Sequence, residues 1–251
     1  MHPDRILQAL ALPQDAMVKQ RITKKLLVEN GAPTAADKRI IQDGIDEALW
    51  FAVLKPESVG VATYRDTTRT YDEIAVVSAQ FREAAKAKRL VELLHRAIPY
   101  PLVLITSGAL GTVFSLANKR QSLGEKDRVV VDAVKATDAM QGESTPTEET
   151  FLEHLALDKH PTRNLYTLYQ GWHACIDALA AARITGTYAT KPDPALATAR
   201  EAALECYGRL QRDIAQLRAQ AKREKQLNRQ VELNLRVKQL EAELAEAMGN
   251  L

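Results

Sequence analysis

The chain has 251 residues, 46% hydrophobic and 26% charged, with 34 Lys+Arg against 32 Asp+Glu. This length buries a sizeable core and suits one globular domain with an extension. A net charge of +2 does not by itself call for nucleic acid, which only a local basic patch would hold. Cys175 and Cys206 lack CxxC spacing, so buried thiols in a reducing cytoplasm are expected, not a disulfide or a metal site. No run approaches ~18 apolar residues, so no membrane span is expected, and the N-terminal apolar patch is too short and too charged for a signal peptide.

In chain order, a short helix is predicted from Asp4 to Leu10, stopped near Pro13, and another apolar turn around Ile22 to Val28, ending at Asn30-Gly31. Thr34 reads as an N-cap with Asp37 three residues on. The spacing of Ile40, Ile41, Ile45, Ala48, Leu49 and Ala52 predicts one helix running to Phe51, with Pro56 as its limit. A short strand is expected over Ser58–Thr63 and a doubly covered one over Tyr71–Phe81. Glu83 to Ile98 reads as an amphipathic helix. Ala87, Leu90, Val91 and Leu94 lie inside, while Lys86, Lys88, Arg89 and Arg96 face out.

Pro99-Tyr100-Pro101 forces an extended entry into a strand, Leu102–Thr106. The glycines of Ser107–Gly111 give a hairpin loop, and Thr112–Ala117 returns as the partner. A further strand is expected over Arg128–Val134, a loop over Gln141–Thr147, and helices over Glu148–Leu157 and Asn164–Ile184. From Pro194 onward, only Gly208 and Gly249 interrupt a helical pattern of roughly 80 Å. Two heptad runs lie on it: Tyr207, Leu210, Ile214 and Leu217, then Leu233, Val237, Leu240 and Leu244. They do not share one register, which a stutter or two separately packed pieces would explain. The expected class is therefore α+β (or α/β): a small mixed sheet flanked by helices over residues 1–190, then a coiled-coil helix over 194–251. That helix is expected to make the chain a homodimer.

Chemistry is harder to find. A restriction-type nuclease needs carboxylates on neighbouring strand ends with a lysine beside them. Asp72 and Glu73 precede a strand, but LVLIT and TVFSLA carry no acid, and Asp132 and Lys135 fall on opposite strand faces. A divergent metal-dependent nuclease is the alternative reading. His154, Asp158, His160, His173 and Cys175 come within 22 residues, yet His173 and Cys175 point ~200° apart on a helix and cannot share a zinc ion. Gly108 and Gly111 fit a hairpin and open no phosphate loop. Ser78, Ser107 and Ser115 lack a GxSxG setting. No catalytic residue, metal ligand or cofactor is assigned. Basic residues remain: Lys19, Arg21, Lys24 and Lys25 form one cluster, Lys86, Lys88 and Arg89 another, and Lys119 and Arg120 end a strand. Such groups bind nucleic-acid backbones without any motif. If Lys19, Arg21, Lys24 and Lys25 converge with Lys119 and Arg120, they form a phosphate-binding patch.

With these segments in place, the sequence resembles a prokaryotic family classed as a domain of unknown function. Its members are encoded beside helicase and DNA-methyltransferase genes in restriction-like or antiphage loci. The likeness rests on LPQDAMVKQRITKK (12–25), IDEALWFAVLKPESVGV (45–61) and the block 72–120 with its IPYPLVLI core, and continues through 164–188. It implies a place in DNA defence: a non-catalytic accessory subunit with a helicase or methyltransferase partner and DNA as a candidate ligand. It carries no catalytic motif over.

Overall fold

The computed structural model describes residues 1–83, 85–121, 129–190 and 193–251. The chain divides into two compact units, Met1–Ile176 and Asp177–Leu251. The first opens with α1 (Pro3–Ala9), whose N-terminal amide of Asp4 is capped by His2. An edge strand follows, β1 (Met17–Arg21). Within it Lys19 adopts a left-handed φ of 52°, and the register slips between Met17 and Gln20. Thr23 caps α2 (Lys24–Gly31), and Thr34 caps α3 (Ala35–Gly44).

Here the structure departs from the periodicity. The helix stops at Gly44, and Ile45–Leu54 is a ten-residue strand, β2. It carries two irregularities, at Ile45/Glu47 and Trp50/Ala52. Each adds a residue and resets the in–out alternation. The buried positions Ile45, Ala48 and Ala52 therefore recur at three and four, which is the helical spacing. The expected strand at Ser58–Thr63 is replaced by α4 (Pro56–Val59), one turn with Pro56 at its start. A small hairpin follows, β3 (Tyr64–Arg65) with β4 (Thr70–Tyr71). Asp66 closes it by accepting the amides of Thr68 and Arg69 at 2.7 Å each.

The central segment matches its expectation. β5 (Ile74–Phe81), α5 (Ala87–Ala97) and β6 (Leu102–Gly108) form a parallel crossover, and β7 (Gly111–Ala117) returns antiparallel. Gly111 allows the tight return with φ 107°; a side chain there would meet the Met140 carbonyl at 2.5 Å. β8 (Lys119–Gln121) pairs with β9 (Val129–Val131), and β10 (Lys135–Ala136) adds to β7. The strand expected from Arg128 thus appears at Val129; Arg128 itself lies outside the described residues. α6 (Pro146–Glu153) begins with a capping box of Thr145 and Glu148, and α7 (Leu165–Thr185) spans the division between the units.

The main sheet runs β1-β2-β5-β6-β7-β10. On one face α2, α3 and α5 bury Leu27, Ile41, Leu90 and Leu94 against Ile45, Val77, Ala79 and Leu104. Gly31 lets α2 approach α5, since a Cβ there would sit 2.7 Å from the Ala97 methyl and the Leu93 carbonyl. On the other face Phe151 meets Phe114 edge-on at 5.9 Å. Tyr169 ties α7 to the sheet, donating its hydroxyl to the Leu102 carbonyl at 2.8 Å and accepting the Ala117 amide at 3.0 Å.

In the second unit the expected single C-terminal helix is broken. α8 (Pro194–Arg223) and α9 (Leu227–Gly249) form a hairpin. Glu224 turns to extended backbone, and its carboxylate accepts the amides of Lys225 and Gln226 at 2.8 and 2.9 Å. No glycine or proline marks this break, so the sequence pattern runs through it. The two heptad frames lie on separate arms and close on each other. Leu210 and Ile214 pack with Val237, Leu240 and Ala247, flanked by Tyr207, Leu217 and Leu244. Leu233 is half-buried near the turn, and Arg218 pairs with Glu241 across the arms at 2.5 Å. The residues expected to join two chains are thus largely used within one.

Candidate functional site: a cationic helical layer and its groove

The six basic residues read from the sequence do not meet. Lys19 and Arg21 lie exposed on β1, and Lys24 and Lys25 begin α2. Lys119 and Arg120 follow β7, four strand steps away in the sheet order, or roughly 19 Å. Lys119 is also buried. Its Nζ donates to the carbonyls of Ile98 and Tyr100, and burial lowers its pKa to about 7. It holds the Pro99–Pro101 entry to β6 and is not offered to a phosphate. Arg120 is paired with Asp132 at 3.3 Å.

The carboxylates of the nuclease reading are each turned to a cation. Arg65 holds Asp72 with two bonds of 2.9 and 2.7 Å, Lys55 lies 3.6 Å from Glu73, and Arg120 takes Asp132. Among the described residues no group of three or more His, Cys, Asp or Glu is placed to hold a metal ion. The histidines disperse as well. His160 packs edge-on against Trp172, His173 against Tyr169, and His154 bonds the Thr150 carbonyl of its own helix. Desolvation lowers the pKa of His160 to about 4 and of His173 to about 3.

The surface that does gather charge is the helical layer. Arg89 on α5 grips Asp37 of α3 with two bonds of 2.8 and 3.1 Å, while its third nitrogen reaches Glu92 at 2.9 Å. Arg89 and the Thr34 hydroxyl hold the Asp37 carboxyl down to about 2. The pair fixes α3 beside α5. Around it stand Lys38 and Arg39 on α3 and Lys88 and Arg96 on α5, all exposed. Among the described residues these four make no ion pair and no side-chain hydrogen bond. Lys24, whose Nζ reaches the Gln42 carbonyl at 2.8 Å, and Lys25 extend the layer through α2.

Beside α5 runs a groove of about 730 Å³. Lys88, Arg89 and Arg96 form one wall, Leu93 and Val113 the floor, and the segment 131–138 the other wall, with Asp132 and Asp138 on it. Lys88 and Arg96 are eight residues apart on one face of α5, hence ~12 Å along its axis. The arrangement can bind an extended anion along the rim; it offers no convergent nucleophile and base. The sequence marked Lys88, Arg89 and Arg96 as outward-facing. It could not show that Lys38 and Arg39 join them, because the Asp37–Arg89 link spans 52 residues.

This is an α+β protein built on a six-stranded mixed sheet with a helical hairpin. The chain matches the model of the family described as Domain of unknown function (DUF4391) over residues 10–244, and it belongs to that family. No curated protein and no solved structure matched it. No helix among the described residues is long and apolar enough to cross a membrane.

Proposed function

We propose that this chain is a non-catalytic accessory subunit of a prokaryotic DNA-defence system, restriction-like or antiphage. It acts in the cytoplasm, holds duplex DNA by its backbone and delivers it to a helicase or methyltransferase partner. The observation that carries the DNA reading is the set of four exposed cations that make no salt bridge among the described residues, Lys38, Arg39, Lys88 and Arg96, on two helices locked together by Asp37 and Arg89. The defence setting and the partner class rest on the sequence resemblance alone. Cations aimed at phosphates carry no base information, so binding is sequence-independent. Each phosphate neutralised contributes a salt slope near −0.9, so four contacts weaken binding roughly a hundredfold between 50 and 200 mM salt.

Fluorescence anisotropy with a labelled duplex tests this. Lys88→Glu combined with Arg96→Glu should lower the slope by about 2 and abolish binding at physiological salt. Affinity unchanged in that variant sinks the reading. Cleavage of the duplex in Mg²⁺ that Asp132→Ala abolishes would replace it with a hydrolytic one.

A further inference from the structure

The turn of the helical hairpin concentrates positive charge. Between Leu217 and Arg236 stand Arg218, Lys222, Arg223, Lys225, Arg229 and Arg236 against Glu224 and Glu232, in a chain whose charges otherwise nearly balance. Arg218 and Lys222 lie four apart in α8, a spacing at which like charges destabilise a helix. Away from the turn Arg218 is answered across the arms by Glu241. At the turn the pattern changes: among the described residues Lys222, Arg223, Lys225 and Arg229 make no salt bridge, and all four are exposed.

Three of these arginines line a groove of about 560 Å³ between the two arms. Leu217 and Leu233 are half-buried in it, while Arg223, Arg229 and Arg236 are exposed on its rim. Arg229 and Arg236 share a face of α9, seven residues or ~10 Å apart, and Arg223 comes from the end of α8. Arg229 also belongs to the first turn of α9, which has no side-chain cap, so the positive end of that helix adds to the groove. The negative end of α8 is answered within the turn. The Gln220 carbonyl accepts the Glu224 amide at 3.0 Å, and the Ala221 carbonyl accepts the Gln230 side chain at 3.3 Å. The Glu224 carboxylate is itself turned to the amides of Lys225 and Gln226. The arginines therefore exceed what the turn needs for its own closure.

We propose that this groove is a nucleic-acid contact separate from the cationic layer of the first unit, in which Arg223, Arg229 and Arg236 grip the phosphodiester backbone. A guanidinium fork meets a phosphate with two parallel hydrogen bonds, which an ammonium does not. One strand of a duplex carries a charge every ~3.4 Å of rise, so a ~10 Å line of arginines faces about three phosphates. The lining holds no aromatic side chain to stack on a base, so the contact is with the backbone and is indifferent to sequence. Glu232 lies on the same face of α9 between Arg229 and Arg236 and holds the affinity down. The ligand class is that of the proposed function, but the residues are different, and each contact is removed by its own substitutions.

Fluorescence anisotropy of the full chain with a labelled duplex, over roughly 50 to 200 mM salt, is the test. Arg223→Gln, Arg229→Gln and Arg236→Gln together should reduce the salt slope by about 2.7, or 0.9 for each phosphate released. The circular dichroism spectrum should not change, because all three side chains are exposed. Made on the chain carrying Lys88→Glu and Arg96→Glu, the same three changes should remove the binding that this chain keeps at the low-salt end. Arg223→Lys with Arg229→Lys and Arg236→Lys should keep the slope, and Glu232→Gln should tighten binding several-fold. Unchanged affinity and slope in the glutamine variant overturns the proposal and leaves the cationic layer standing. Loss in the glutamine variant with none from Lys88→Glu and Arg96→Glu upholds it and removes the layer instead. The proposal also falls if the Lys88→Glu, Arg96→Glu chain binds no duplex at low salt, if the lysine variant loses the slope, or if the arginines serve phosphatidylserine vesicles or polyglutamate in place of the duplex.

Discussion

The two units solve the burial problem in opposite ways. In Met1–Ile176 a mixed sheet is covered on both faces, and its contacts join residues far apart in sequence, as Tyr169 does when it bonds Leu102 and Ala117. In Asp177–Leu251 two successive helices fold back through a three-residue turn, and the seam joins neighbours along the chain. Long-range burial gives a dense core in which a lost side chain leaves a void. A two-helix seam is half-wet and relaxes more easily. The contrast is open to experiment because both tryptophans, Trp50 and Trp172, belong to the first unit, so fluorescence follows that unit while far-ultraviolet circular dichroism also follows the hairpin.

The largest effect should come from Phe114→Ala. Phe114 is fully buried between β7 and Phe151, and its truncation should cost about 3–5 kcal/mol. Urea unfolding should show the fluorescence midpoint fall while the hairpin's transition stays in place. Coincident shifts in both signals would mean that the two units unfold as one.

Acid should come next, and it too should select the first unit, which holds all five histidines. His95, His160 and His173 are buried and neutral, each with its pKa lowered chiefly by desolvation. Below pH ~6.5 the unfolded chain takes up protons that the folded one refuses. Their stabilisation is therefore complete above that pH and is lost as pH falls, between 6.5 and about 4 for His160 and on to about 3 for His173. For His160 alone this amounts to about 3 kcal/mol. His160→Phe should flatten the acid limb of the fluorescence midpoint; an unchanged limb would show that His160 titrates normally.

The smallest effect should be Leu240→Ala in the hairpin seam. Leu240 is buried against α8, but its surroundings can close in, so a loss of about 2 kcal/mol is expected, at the low end for this truncation. It should appear in circular dichroism and leave the tryptophan signal untouched. A matching fall in the fluorescence midpoint would erase the distinction between the units.

The same contrast explains what the sequence revealed. Local signals were reliable where one element decides them. The cap at Thr34, the proline entry at 99–101 and the amphipathic pattern of α5 were all legible, whereas the capping box of Thr145 fell in a segment read as loop. Periodicity told which residues are buried but not what buries them. In β2 the bulges imitated a helical repeat, and in α8 and α9 a true helical repeat concealed a turn made by the Glu224 side chain. The candidate site followed the same rule. Arg96 could be placed on an outer helix face, whereas the burial of Lys119 and the joining of α3 to α5 depend on contacts that only the folded chain makes.

The edge strand β1 bears on how the sheet meets other sheets. A flat, unpaired edge is a template on which other sheets grow into aggregates. Here Lys19 turns into the left-handed region and the register slips beside it, so the row of free amides and carbonyls is no longer straight. An incoming strand would meet a kinked ladder and the exposed charges of Lys19 and Arg21. One strained residue thus acts as a guard against edge-to-edge polymerisation on a sheet that must leave that side uncovered.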